Sequence, residues 1–178
     1  TGKYIFKFNN IKSNSKKWVT HSYNPDQNDV LPGIVELTND QTTTNTVLQN
    51  LHDFTSESYD YFYDKHSLAS YDNQFATINS VAQLSESNYF NAYWNGSFIF
   101  FGNGDPSMNC GHFGNCKDIV AHELGHAVTE YSANLIYANQ SGALNESFSD
   151  IWGAMIDRED WIIGEDLAID PSQPEFIR

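Results

Sequence analysis

Apolar and polar residues follow two periods along the chain, and the change from one to the other predicts where helices and strands lie. Residues 45–65 carry apolar side chains on one stripe at helical spacing, which predicts a long helix with a buried face. The stripe consists of Val47, Leu48, Leu51, Phe54, Tyr61 and Phe62. Shorter apolar runs predict strands at residues 4–8, 18–20, 75–78 and 97–100.

Turn residues divide these elements. Pro25, Asp26, Pro32 and Gly33 punctuate a loop, and Asn95-Gly96 is a hairpin signal. The last third of the chain is helical in pattern, with one run around residues 118–131 and a second beginning just after Gly142. Beyond Asp166 the tail resembles a loop with Pro171 and Pro174. We therefore expect an α+β fold, a twisted, antiparallel-rich sheet beside long helices.

Composition is that of a folded protein. The chain has 178 residues, 40% of them hydrophobic and 15% aromatic, which is enough for one domain with a sizeable core. Its formal net charge of −14 argues against nucleic acid and anionic membranes as partners, since no basic patch exceeds Lys16-Lys17. No run of about 18 apolar residues and no signal-peptide pattern appears, so we expect no membrane span; a secreted origin would require a signal already removed.

Residues 122–126 read His-Glu-Leu-Gly-His within the first helical run. Two histidines four positions apart share one helix face, so His122 and His126 can reach one cation. Glu146 follows twenty positions later. Two histidines and a carboxylate form a known catalytic zinc set that leaves one position for water. Glu123, which is not a ligand, would act as the general base on that zinc-bound water.

A His-Glu-x-x-His motif can also arise by chance on an amphipathic helix, with both histidines merely solvated or hydrogen-bonded. The surrounding sequence favours the metal. Residues 127–131 continue the helix without Gly or Pro, and Glu146 and Asp150 again lie four apart on one face. In metal sites, the outer ring N–H of a ligand histidine needs a hydrogen-bond acceptor, and Asp150 can supply one.

From residue 118 to residue 157 the sequence resembles the thermolysin family of secreted zinc endopeptidases. The segment HELGHAVTEYSANLIYANQSGALNESFSDIWGAMID carries most of this likeness. Weaker resemblance covers residues 66–74, 89–96 and 161–167 and the terminal Phe-Ile-Arg, whereas the first forty residues share little beyond Gly2-Lys3-Tyr4. The resemblance implies a zincin-like lobe in which His122, His126 and Glu146 bind one zinc ion.

The resemblance also implies roles for residues around the metal. Tyr137 would hydrogen-bond the oxyanion of the tetrahedral intermediate, although it could instead be a core tyrosine. Asn91, Ala92 and Trp94 would lie on an edge strand that pairs with the substrate backbone, although an ordinary packed strand is the alternative. Arg178 would bind the carbonyl on the leaving-group side. Ile119, Leu167 and Ile177 would line an apolar pocket for the residue after the scissile bond.

A calcium ion is a further implication of the resemblance. Its expected ligands are Asp118, Asp157, Asp160 and Glu165, and oxygen ligands of this kind suit calcium. Ile162 stands where some relatives carry another acid, so one ion is expected rather than two. Solvated surface acids are the alternative.

The resemblance implies an incomplete site in this chain taken alone. Relatives add a histidine and its aspartate partner from a helical C-terminal domain, and none of the six histidines here matches that position. We therefore expect residues 1–178 to be an N-terminal lobe, with the C-terminal lobe as a partner and little activity in the isolated chain.

Two cysteines flank a Gly-rich turn before the first active-site helix. Cys110 and Cys116 predict a disulfide in an oxidising compartment. A second metal cluster that includes His112 is the alternative.

Three functions compete. The first is a secreted zinc endopeptidase, or its lobe, acting on peptides and proteins. The second is a zincin with three histidines, which would need a histidine where Ser132 stands and therefore fails on spacing. The third is a catalytically incomplete lobe that binds metal or a partner; Glu123 argues against it, because the base is retained.

Overall fold

The computed structural model describes residues 15–159 and 161–172, and in this part of the chain five strands form one sheet beside three α-helices. The strands are β1 (Trp18–Tyr23), β2 (Ile34–Thr38), β3 (Ile78–Gln83), β4 (Ala92–Trp94) and β5 (Ile99–Phe101). The helices are α1 (Thr46–His66), α2 (Lys117–Ser132) and α3 (Asn139–Ile156).

The sheet is mixed, with the strand order β2-β1-β3-β5-β4. The outer pairings, β1 with β2 and β4 with β5, are antiparallel, whereas β3 pairs in parallel with both β1 and β5. The α+β class is confirmed. The antiparallel arrangement holds only for the outer pairings, because the chain between β1 and β3 passes through α1 and returns in the same direction.

Local signals account for the helix bounds. The Asn45 side chain accepts a hydrogen bond from the Leu48 N–H at 3.2 Å and starts α1, and Ser67 ends it with a left-handed φ of 56°. The predicted helix at 45–65 is therefore confirmed within one residue at each end. α3 begins at Asn139, four residues before the predicted start just after Gly142.

The predicted strand at 75–78 is wrong except for its last residue. Asp72 accepts hydrogen bonds from the Gln74 and Ala76 N–H groups, and Phe75 has a φ of 62°, so these residues form a turn before β3. Strand β2 was not predicted, because most of its side chains are exposed and show no alternation. The hairpin at Asn95-Gly96 is confirmed between β4 and β5. The predicted strand at 4–8 lies outside the described residues.

The core lies between the sheet and the two helices α1 and α2. Its largest fully buried side chains include Leu51, Phe62, Ile78, Phe101 and Leu124. β4 forms one edge of the sheet and runs beside α2, which places the cleft described below. None of the helices in the described ranges has the length and apolar character needed to cross a membrane.

Candidate metal centre and cleft

His122 and His126 present their rings on the same face of α2. The ring centroids are 4.7 Å apart, and both side chains are largely buried. Glu123 is also buried, and ligand atoms of these three residues lie within 4.8 Å of one another. The motif therefore directs both imidazoles toward one point, because residues four apart on a helix lie one above the other, and the Glu123 carboxylate lies close to them.

Helix α3 brings Glu146 to this point. The two helices approach closely where Gly125 faces α3, since a Cβ at Gly125 would lie 3.0 Å from Trp152 Cδ1 and 3.2 Å from Ser149 Cα. Glu146 Oε2 is 3.4 Å from His122 Nε2, and Glu146 Oε1 is 3.6 Å from His126 Nε2. A carboxylate distant in sequence thus faces both imidazoles.

The donor set fits zinc. Ligand atoms about 2.0 Å from a tetrahedral zinc ion are separated from one another by about 3.3 Å. The observed separations of 3.4 and 3.6 Å between Glu146 and the two Nε2 atoms are close to that spacing. Nitrogen and carboxylate ligands are also the types that zinc accepts in hydrolytic sites.

The outer ring nitrogens are held by residues of α3. His122 Nδ1 lies 2.9 Å from Asp150 Oδ1, and His126 Nδ1 donates to Asn145 Oδ1 at 2.7 Å. Ser149 Oγ is 3.1 Å from the same His126 nitrogen. Such contacts orient both Nε2 atoms toward Glu146. Sequence reasoning included Asp150 but missed Asn145 and Ser149, although their four-residue spacing repeats that of Glu146 and Asp150.

The two histidines have opposite pKa shifts. Burial disfavours the charged form of His122, but its contacts with Asp150 and Glu146 outweigh this effect and raise its pKa to about 9. Burial also lowers the pKa of His126, and the amide of Asn145 offsets that effect only partly because it carries no charge. The difference follows from the carboxylates that contact His122, whereas a neutral amide contacts His126 Nδ1.

Tyr137 lies beside this centre in the segment that leads into α3. Its side chain is 66% exposed, so it is not a core tyrosine. The ring stands at an angle of 81° to that of His126, with centroids 5.8 Å apart. The hydroxyl donates a hydrogen bond to Glu146 Oε1. The phenol is therefore within reach of any group bound at the metal centre.

Two cavities meet at His122 and Glu123 and form one cleft along β4. The smaller, about 240 Å³, has apolar walls that include Phe113, Ile119 and Leu167. The larger, about 630 Å³, extends past His126 and includes Trp94 and Glu130. Asn91 and Ala92 line both cavities, so the edge strand predicted to bind substrate forms one wall. Ile177 and Arg178 lie outside the described residues.

The predicted calcium ligands do not all converge. Asp157 and Glu165 form a cluster with Asp166, which sequence reasoning missed. Asp118 is fully buried and accepts from the Ile119 N–H and the Gly164 N–H, both at 2.6 Å. Asp118 therefore ties the start of α2 to the loop after α3. Ile162 is partly exposed, and Asp160 lies outside the described residues.

A cation already lies beside this acidic cluster. Lys117 Nζ is 3.6 Å from Asp157 Oδ1 and 3.7 Å from Glu57 Oε2 on α1. The lysine is the first residue of α2, and its two contacts join α1 to the exit of α3. Its charge would oppose the binding of a second cation at Asp157.

The predicted disulfide is not formed, and both cysteines are free and buried. Cys116 Sγ donates to Asp118 Oδ1 at 2.7 Å, and Cys110 Sγ donates to the Gly111 carbonyl at 3.4 Å. Each sulfur thus has its own partner, and burial raises the pKa of both thiols. The alternative cluster with His112 fails as well, because both of its ring nitrogens are engaged by backbone groups, Gln83 O and Gly114 N.

Comparison with known families and structures gives consistent matches. The family model described as "Thermolysin metallopeptidase, catalytic domain" matches residues 6–130. The model described as "Thermolysin metallopeptidase, alpha-helical domain" matches residues 133–178. The boundary between the two matches falls at the end of α2.

Individual relatives agree with these families. The chain is 41% identical over 157 residues to a bacillolysin of Brevibacillus brevis, covering 88% of this chain and 29% of the relative. It is 44% identical over 118 residues to an extracellular elastase of Staphylococcus epidermidis, covering 64% of this chain and 23% of the relative. The chain thus spans less than a third of the length of either relative.

A solved structure shares the fold. The precursor of protealysin, a metalloproteinase from Serratia proteamaculans, superimposes with a TM-score of 0.73 at 31% identity. The match covers 81% of this chain and 44% of that chain.

Proposed function

Because this chain belongs to the thermolysin family of metallopeptidases, we propose that it binds one catalytic zinc ion and takes part in hydrolysing internal peptide bonds. The observation that carries the proposal is the convergence of His122, His126 and Glu146, with separations of 3.4 and 3.6 Å between the carboxylate and the two imidazoles. Glu123 lies beside them in the same cleft.

The residues divide the work between binding and proton transfer. His122, His126 and Glu146 would hold the metal. A bound zinc ion supplies a Lewis acid that makes water acidic near neutral pH. Glu123 would receive the proton of the attacking water and pass it to the leaving amine. Asp150 would orient His122, while Asn145 and Ser149 orient His126.

The cleft supports an assignment of substrate contacts. Asn91, Ala92 and Trp94 would pair with an extended peptide, since they lie on or next to the edge strand β4. The apolar cavity with Ile119 and Leu167 would take an apolar side chain after the scissile bond. Tyr137 would donate to the developing oxyanion after releasing Glu146.

A helical partner lobe is part of the proposal, with residues 1–178 acting as the lobe that carries the metal centre. Leu144, Phe148 and Ile151 expose apolar surface on one side of α3 at helical spacing. Such a face suits packing against further helices of the same protein. We also propose secretion, by similarity to the relative named as extracellular.

The proposal extends to one calcium ion at the exit of α3. Asp157 and Glu165 would be its ligands together with Asp166, while Asp118 would support the loop that presents them. Lys117 would weaken this binding.

The substitution Glu123→Gln tests the mechanism. In the protein that also contains the partner lobe, we expect kcat for a quenched fluorescent peptide to fall by about 100-fold or more, because the amide cannot accept the proton. Zinc content should remain at one ion per protein, since Glu123 is not a ligand.

Glu86→Gln is the matched control, since this exposed carboxylate lies outside the cleft, and it should retain full activity. An undiminished kcat in Glu123→Gln would contradict the proposed mechanism.

A further inference from the structure

The two ends of the cleft differ in chemistry. Phe113, Ile119 and Leu167 make one end apolar. The other end, beyond His126, is lined by Trp94, Glu130 and Asn134. These two cavities meet at His122 and Glu123, so they lie on opposite sides of the groups assigned to catalysis.

Glu130 is the acid in this cleft to which the proposed chemistry gives no task. Glu123 and Glu146 already serve as base and metal ligand in that scheme. Among the residues described, no lysine or arginine lines either cavity, and none forms an ion pair with Glu130. Its negative charge is therefore not neutralised within this part of the chain.

The carboxylate of Glu130 is held in place by an aromatic partner. Trp94 Nε1 donates to Glu130 Oε2 at 2.6 Å, which links the edge strand to α2. Tyr71 contacts the indole, with ring centroids 5.2 Å apart, and so restrains Trp94. The hydrogen bond uses one carboxylate oxygen, and the indole lines the same cavity as Glu130. A fixed carboxylate next to an aromatic ring is a typical arrangement for binding an organic cation.

We propose that Trp94, Glu130 and Asn134 form a subsite, called here the Glu130 subsite, that binds a lysine or arginine side chain of the substrate. This inference rests on the proposed function. If the apolar cavity holds the residue after the scissile bond, the residues before that bond extend toward Glu130. The protein is thus an endopeptidase that selects a basic residue upstream of the cleaved bond.

The position of the basic residue follows from distances along the two elements. Glu130 lies two turns from Glu123 on α2, about 10 Å along the axis. An extended peptide advances about 3.3 Å per residue, so two residues cover roughly two thirds of that distance. A lysine side chain spans the remainder. The Glu130 subsite therefore recognises the second residue before the scissile bond.

Paired substrates test the subsite by kinetics, using the complete zinc-loaded protein. Two peptides differ only at that second residue, which is lysine in one and its neutral analogue norleucine in the other. We expect kcat/KM to favour lysine by about three- to fivefold at low ionic strength and less in high salt. Glu130→Gln should bring the ratio close to one, because the amide keeps an acceptor for Trp94 but loses the charge. Glu86→Gln should retain the preference.

Binding provides a readout that does not depend on turnover. The same peptides are titrated into Glu123→Gln and into the double variant Glu123→Gln/Glu130→Gln. Tighter binding of the lysine peptide to the first protein alone supports the Glu130 subsite, even if the wild type cleaves neither peptide and the proposed function fails. Equal affinities for both peptides, or a preference that survives in the double variant, would overturn the subsite while leaving hydrolysis to be judged by its own test.

Discussion

At the scale of single residues, His112 stabilises the fold as a neutral ring that makes two buried hydrogen bonds. Nε2 donates to the Gln83 carbonyl at 3.0 Å, and Nδ1 accepts from the Gly114 N–H at 2.9 Å. The neutral ring satisfies both contacts, whereas a protonated ring could not accept from Gly114. Burial lowers the pKa of His112 from 6.5 to about 4.

This shift predicts a loss of stability in mild acid. Between pH 6.5 and 4 the unfolded chain binds a proton at His112 that the folded chain excludes, so the stabilisation is complete above about 6.5 and is lost as pH falls toward 4. We expect about 3 kcal/mol of the free energy of unfolding to disappear over this range. Urea denaturation at several pH values measures it.

The variant His112→Asn serves as the comparison. Asparagine can still accept from Gly114 but does not titrate, so its stability should fall less steeply with acid. If the free energy of unfolding depends on pH identically in the two proteins, His112 is not responsible for the loss of stability in acid.

At the scale of elements, the contact between α2 and α3 determines whether the ligands meet. Gly153 lies where α3 crosses the start of α2, and a Cβ there would be 2.9 Å from the Asp118 carbonyl oxygen. Glycine lowers helix propensity by about 1 kcal/mol relative to alanine, so its presence inside α3 reflects the close approach. The same approach brings Glu146 and Asp150 to the histidines.

Gly153→Ala should therefore destabilise the protein despite the better helix propensity. We expect the free energy of unfolding to fall by about 1–3 kcal/mol, because backbone atoms must move apart. Zinc affinity should fall as well, since Glu146 moves with α3. Ser147→Ala, on the exposed side of the same helix, is the control and should change stability little. A Gly153→Ala protein as stable as wild type would contradict the packing argument.

At the scale of the whole molecule, Lys117 and the acidic cluster connect three helices in a chain of net charge −14. Lys117 contacts Glu57 on α1 and Asp157 after α3, so one ammonium bridges both neighbours of α2. A calcium ion at Asp157 would strengthen the same junction. Lys117 and the proposed calcium ion would thus both contact the carboxylate of Asp157.

The calcium proposal predicts that the melting temperature rises with calcium at constant zinc concentration, because ligand binding favours the folded state. Lys117→Met should lower stability without calcium by up to about 1 kcal/mol and increase the response to calcium. Lys65→Met, at the exposed end of α1, should behave as wild type. If calcium leaves the melting temperature of all three proteins unchanged, the calcium site is excluded.

The sequence by itself determined the features that depend on near neighbours. The bounds of α1 follow from its apolar stripe and from Asn45, and α2 follows from the run around the histidines. The spacing of His122 and His126 places both on one face, because helix geometry alone requires it. The hairpin at Asn95-Gly96 is equally local.

Only the tertiary structure decided what distant segments contribute. The approach of α3 at Gly125 brings Glu146 to the histidines and reveals Asn145 and Ser149 as partners of His126. The parallel pairings of β3, the free thiols and the role of Asp118 also depend on contacts between residues far apart in sequence or on burial. Periodicity indicates which face of an element is buried. It does not indicate which element packs against that face, and the chemistry of the cleft depends on which elements pack together.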